Sequence, residues 1–260
     1  MYRELDRCTL YILNEFKGIN GREVLLLNII FYRFFNKDKL YENLQIAPFN
    51  KIDFSLKNQI ISKFDSFLKQ GLPIFNNAYL IAGKNKEKKH ITILNTLERT
   101  PVKRLIEEID KAKTPEDSFK VLLQIPLVGP FLACEIWTDL TYFKFFKQGW
   151  NDNDFVNIGP GAQCGLEILY ETSLSYPQQE EKLHHLHALQ EKTLLITHKE
   201  VSADFDWNTI AYKDAFSNYP YLSVTNIEGA LCEFRKYWNI RQGKGRRKYF
   251  YPINSINTKQ

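Results

Sequence analysis

The run Thr114-Pro-Glu-Asp-Ser-Phe-Lys-Val-Leu-Leu-Gln-Ile-Pro-Leu-Val-Gly-Pro-Phe-Leu-Ala-Cys-Glu-Ile-Trp constrains the fold more than any other stretch of the chain. Thr114 is placed to cap a helix, Pro115 suits the first helical position, and Asp117 stands where a capping box usually carries Glu or Gln. That helix has to end by Ile125-Pro126, because a proline ring pushes the preceding residue out of the helical region. Leu127-Val128-Gly129 turns the chain, and Pro130 opens a second helix whose Ala133 is small enough to let the pair approach closely. The pattern predicts a helix-hairpin-helix over about residues 114–140.

The remainder reads as further helices. Apolar residues recur at helical spacing from Leu5 to Phe16, and Glu23 to Phe35 is apolar almost all round, as a central core helix would be. Helical stretches follow at Leu56 to Gln70, Lys88 to Leu97, Thr100 to Ala112, Thr114 to Leu123, Pro130 to Phe146 and Gly161 to Glu171. Residues 172–202 read as a polar connector followed by a short helix ending near Leu195, and Ile227 to Trp238 as an amphipathic helix. Alternating strand patterns are scarce and no βαβ rhythm is visible. An all-α protein is expected, as a single helical domain over residues 1–260 with a basic, aromatic C-terminal tail at 241–260.

Composition narrows the class. The 260 residues are 44% hydrophobic and 25% charged, with only 12 Gly and 10 Pro, which suits a folded globular chain and excludes collagenous or low-complexity architecture. Cys8, Cys134, Cys164 and Cys232 form no CxxC pair and have no neighbouring His, so zinc and iron-sulfur signatures are absent and a reduced, intracellular protein is expected. The run Val24 to Phe35, interrupted by Asn28 and Arg33, is too short for a bilayer of roughly 30 Å. The N-terminal residues lack the layout of a secretory signal, and a cytoplasmic location follows as the default. His184, His185, His187 and His198 cluster without an acidic or cysteine partner at ligand spacing, which fits a solvated helix face. Neither a metal nor a cofactor is expected, and no protein partner is suggested.

The hairpin's physics suits DNA. Gly129 would let the backbone present N–H groups at the start of the second helix, where the macrodipole attracts a phosphate without reading sequence. The same turn also serves a helical pair that only reverses the chain. The net charge of +5 permits a polyanionic partner. Basic runs at Lys84 to Lys89 and Arg241 to Lys248, the latter with Arg246, Arg247 and Lys248 beside Tyr249 to Tyr251, suit a nucleic-acid backbone or an ordinary solvated surface. Most of Trp137, Tyr142, Phe143, Phe145, Phe146 and Trp150 would belong to the core, with Trp150 a candidate for a base pocket. Gly159-Pro160-Gly161 lacks the GxxxxGK[ST] lysine of a phosphate loop, and reads either as an active-site turn or as a plain helix start.

The hairpin resembles the Leu-Pro-Gly-Val-Gly element of the helix-hairpin-helix DNA glycosylase superfamily, and the likeness extends to Asn151-Asp-Asn-Asp-Phe-Val-Asn-Ile-Gly-Pro-Gly-Ala downstream. That resemblance implies a glycosylase-like helical fold, DNA contacts at Leu127, Val128, Gly129 and Phe131, and a catalytic aspartate at Asp154, with Asp152 second. Leu127 occupies the first hairpin glycine position. Phe131 stands where bifunctional members carry a nucleophilic lysine, so no lyase step is implied by that route.

A closer likeness runs through Arg22-Glu-Val-Leu-Leu-Leu-Asn-Ile-Ile-Phe-Tyr-Arg, Asn77-Ala-Tyr, Ala133-Cys-Glu-Ile-Trp-Thr-Asp-Leu, Asp154-Phe-Val-Asn-Ile-Gly-Pro-Gly-Ala and Leu231-Cys-Glu-Phe-Arg-Lys-Tyr. These segments resemble the α-glutamyl/putrescinyl thymine pyrophosphorylase family, which includes the helical domain named after 5-hydroxymethyluracil DNA kinase. Members act on hypermodified bases in phage DNA, and glycosylase-like members strip such bases from invading genomes. The resemblance implies double-stranded DNA with modified bases as partner and a monofunctional glycosylase, in antiphage defence, that flips and excises a modified base; Asn76, Asn77 and Tyr79 are candidates for its pocket. A base-hypermodification enzyme using the same pocket, or a non-catalytic DNA-binding module, would carry the same motifs.

Overall fold

The computed structural model describes residue 3 and residues 6–76, 87–201 and 222–244, with the backbone alone over 191–201. Among these residues the chain is all-α, with eleven helices and no strand: α1 Arg7–Glu15, α2 Arg22–Phe35, α3 Asp38–Leu44, α4 Phe54–Lys69, α5 Lys89–Arg99, α6 Val102–Lys111, α7 Pro115–Leu122, α8 Pro130–Tyr142, α9 Pro160–Tyr170, α10 Tyr176–Val201 and α11 Val224–Arg241. None of the helices searched is long and apolar enough to cross a membrane.

The nearly all-round apolar run is the hub. Every residue of α2 from Leu25 to Phe35 is buried, and α5, α6 and α8 pack around it. Its two polar interruptions are accommodated by partners, as buried polar groups require. Asn28 donates Nδ2 to the carbonyls of Val24 and Phe49, both at 2.7 Å, and accepts from the Tyr41 hydroxyl. Arg33 is 1% exposed and engages Asp139 on α8 through Nε and Nη2 at 2.6 and 2.7 Å, Asn36 at 2.9 Å and Thr9 at 3.0 Å.

Two hydrophobic clusters result, one drawn from α1 to α8 and their loops, the other from α9 to α11 and the loop before them. The chain changes clusters between Phe155, which packs on the first, and Val156, which is buried in the second. In the smaller cluster α9 and α11 lie against each other at glycine distance. A Cβ at Gly165 would overlap the Leu231 backbone carbonyl, so only glycine fits there, while one at Gly161 would require the Cys232 sulfur to move.

Three sequence expectations need correction. The α8 helix ends at Tyr142, not Phe146: Lys144 takes a left-handed φ of 50°, and Phe146 folds back on Trp137 with ring centroids 5.1 Å apart. The segment expected as a connector with a short helix is one helix from Tyr176 to Val201. Its residues are good helix formers but make no strong apolar stripe, so periodicity does not announce it. The short α3, between Lys37 and Gln45, was not anticipated.

Candidate functional site

The hairpin forms as its sequence dictates. The Thr114 hydroxyl accepts the Asp117 N–H at 3.1 Å, Pro115 and Pro130 open their helices, and Ala133 is fully buried. Trp137 of α8 donates its indole N–H to Ser118 of α7 at 2.8 Å, fastening the pair. The left-handed residue of the turn is Leu127, with φ of 70°. Gly129 has an ordinary extended backbone with φ of −92° and open space where a Cβ would stand. Its glycine therefore answers to no conformational demand, and what it preserves is access to the start of α8. Val128 is buried beneath the turn, whereas Phe131 on the first turn of α8 is 60% exposed.

Phe131 looks into a cleft of about 640 Å³ between the two clusters. Pro130, Cys134 and Glu135 of α8 form one wall, and Asn226, Glu228 and Cys232 of α11 the other. Asn157 to Gly161, Arg3, Asn36 and Asn76 also line it, with the charged Asp6, Glu233 and Lys236 among the rest. A groove of similar size, about 670 Å³, lies by Arg99, Arg104 and Gln124 to Pro126.

The cleft's distinguishing group is Glu228. Burial pushes its carboxyl up to about 7, against the opposing Gly159 N–H and Arg3 charge, and Glu135 pushes the same way as burial. The Gly159 N–H reaches Glu228 Oε1 at 3.1 Å. Glu135, by contrast, is paired with Arg3 and lies 3.2 Å from Arg33. Arg3 ties the clusters together, since its own N–H donates to Asn226 Oδ1 at 2.6 Å. A carboxyl that titrates near neutral pH, beside a fixed cation, is equipped to move a proton.

Several residues expected at the site lie elsewhere. Asp154 is exposed, is not part of the cleft lining, and its carboxylate accepts the Asn151 N–H at 2.7 Å, closing the turn before Phe155. Asp152 is buried behind the cleft. Its carbonyl accepts from the Thr225 N–H and hydroxyl at 3.3 and 3.0 Å, and burial raises its carboxyl, opposed by a Ser223 hydrogen bond. Trp150 packs on Phe146 at 5.7 Å as part of the first core, not the cleft. Asn76 does line the cleft, held by its N–H to the Phe35 carbonyl and its Nδ2 to the Asn36 carbonyl. Asn77 and Tyr79, and Arg246, Arg247 and Lys248 of the tail, lie outside the described residues.

The family model described as "5-hmdU DNA kinase, helical domain" matches residues 1–247. The chain belongs to this family. Searches of curated proteins and of solved structures each returned no match. The family likeness was readable from five scattered segments of sequence, but the cleft was not. Glu228 sits in an amphipathic helix where an acid looks like one more solvated residue. The available signal was Gly161 and Gly165 four residues apart, a spacing that lets a partner helix close over its neighbour.

Proposed function

We propose that this protein binds duplex DNA through its helix-hairpin-helix, extrudes a 5-hydroxymethylpyrimidine-type base into the cleft, and hydrolyses its glycosidic bond there. One observation carries the reading: the exposed Phe131 of the hairpin and the Glu228 carboxyl border the same cleft. A base leaving the stack beside the hairpin would find an aromatic face to stack on and a proton-transfer group within one cavity, which offsets the few kcal/mol of unstacking and unpairing. While still ionised, Glu228 stabilises the positive charge that develops on the sugar as the C1′–N1 bond breaks and its electron pair leaves with the pyrimidine. It then takes a proton from the water whose oxygen bonds to C1′, and passing that proton to N1 of the departing base restores the carboxylate. The hairpin contributes affinity through Gly129 and the N-terminus of α8, and the basic tail adds sequence-independent contacts.

The family description supports a second reading, in which the base is modified and stays attached. The chain has no GxxxxGK[ST] phosphate loop, so in that reading it supplies the base-holding cleft rather than the nucleotide site. Incubation with duplexes and phage DNAs of different base chemistry, followed by mass spectrometry of the nucleosides and alkali treatment of the strands, separates the outcomes. Free base with alkali-labile strands supports excision. A mass shift on an intact strand supports modification, and tight binding with neither product marks a DNA-binding module.

A further inference from the structure

The order of side chains from Phe155 to Ile158 decides what faces the cleft from the loop between the two clusters. Phe155 packs into the first, its ring 5.1 Å from Phe119 and 5.4 Å from Trp137. Val156 and Ile158 are buried in the second. Asn157 stands between them, half-buried, and lines the cleft. Cys134 of α8 lines the same cleft, and burial pushes its thiol up to about 11.

The other carboxamides of the cleft are committed. Asn36 Oδ1 accepts from Arg33, Asn76 Nδ2 donates to the Asn36 carbonyl, and Asn226 Oδ1 accepts the Arg3 N–H. Asn157 is the one cleft carboxamide whose two ends both lack a partner among the described residues. A polar side chain on a rigid mount, with one donor and one acceptor side by side, is complementary to the edge of a pyrimidine.

We propose that Asn157 is the base-edge recognition residue of the cleft: Nδ2 donates to a ring carbonyl of an extruded uracil-type base while Oδ1 accepts from its N3–H. The assignment rests on the base-accepting cleft proposed above and takes the uracil ring from the family description. A cytosine-type ring presents an amino donor and an unprotonated N3 at the same edge, which the same carboxamide, held at neither end, meets by turning over. A carboxylate at position 157, which can only accept, should therefore favour cytosine and repel the O4 of uracil.

Equilibrium binding to three duplexes tests this on the full chain: one bearing 5-hydroxymethyluracil, one bearing 5-hydroxymethylcytosine, both as 2′-fluorinated nucleosides that resist base loss, and one bearing an abasic analogue. Wild type should prefer either base to the abasic site. Asn157→Ala should shrink that preference roughly 10- to 100-fold, the range for one bidentate edge contact, with unchanged affinity for the abasic duplex and an unchanged melting curve. Asn157→Asp should bind the cytosine ring more tightly than the uracil ring. If Asn157→Ala keeps the wild-type preference for a base, or if Asn157→Asp does not separate the rings, the assignment falls and the cleft reading stands. If wild type binds all three duplexes alike, both fall.

Discussion

The larger and smaller clusters treat buried charge in opposite ways. In the larger, the Arg33 guanidinium is met by both oxygens of Asp139, by Asn36 and by Thr9, and its partner Asp139 is itself 0% exposed. In the smaller, the Glu228 carboxyl has the Gly159 N–H at 3.1 Å and is pushed up to about 7 by burial. A saturated network of charges has a single arrangement and fixes helix register, whereas an under-compensated carboxyl holds or releases a proton at little cost near neutral pH. The difference separates a charge that specifies the fold from one that is available for chemistry.

The largest expected effect comes from breaking the saturated side. Arg33→Met leaves the buried Asp139 without its main partner, and urea unfolding should report a loss of about 3–5 kcal/mol. A loss below about 1 kcal/mol would mean the network is not the lock between α2 and α8. Glu228→Gln attacks the other side. It keeps an acceptor for the Gly159 N–H but removes the titrating group, and single-turnover base release should fall by roughly 100-fold. Stability should move the opposite way. A carboxyl raised from 4.5 to about 7 binds more protons folded than unfolded in that window, so wild-type stability is eroded as pH rises through it and the erosion is complete above about 7. The melting-temperature advantage of Glu228→Gln should accordingly grow between pH 4.5 and 7 and then level off.

Gly165→Ala probes the closeness of α9 and α11 that buries Glu228. Its methyl group would overlap the Leu231 carbonyl, and thermal melts should show a cost of about 1–3 kcal/mol. The Glu228 pH signature should weaken in step as water gains access. Asp154→Asn should change least. The amide can still accept the Asn151 N–H, so stability should stay within about 0.5 kcal/mol and turnover near wild type. A drop in turnover comparable to that of Glu228→Gln would return Asp154 to the mechanism.

What the sequence discloses follows from how local each signal is. The hairpin was legible because Thr114, Pro115, Pro126 and Pro130 each act on their nearest neighbours. The α2 helix was legible because burial on all sides leaves an unbroken apolar run. By contrast, α10 offers no stripe, and the end of α8 depends on Lys144 accepting a left-handed backbone that its residue type does not advertise. Asp154 stood out because the glycosylase resemblance places a catalytic aspartate there, yet the Gly159-Pro160-Gly161 turn that follows answers to α11 across the second cluster rather than to the aspartate. Glu228, Asn157 and Arg3 meet only after both clusters have formed, and no spacing along the chain announces such a meeting.

The hydrogen bond from Arg3 to Asn226 spans 223 positions of sequence, and this has a consequence for how the molecule comes into being. A contact of that separation carries a large loop-closure entropy and forms late. During synthesis the hairpin of α7 and α8 emerges before any residue of α11, so a nascent chain acquires the helical pair proposed to grip DNA while its cleft still lacks a wall. The cleft is completed only when α11 is delivered to the first residues. On the proposed reading, a chain stopped by premature termination before α11 keeps the hairpin without Glu228, and would compete for DNA with the finished protein rather than act as a weak copy of it.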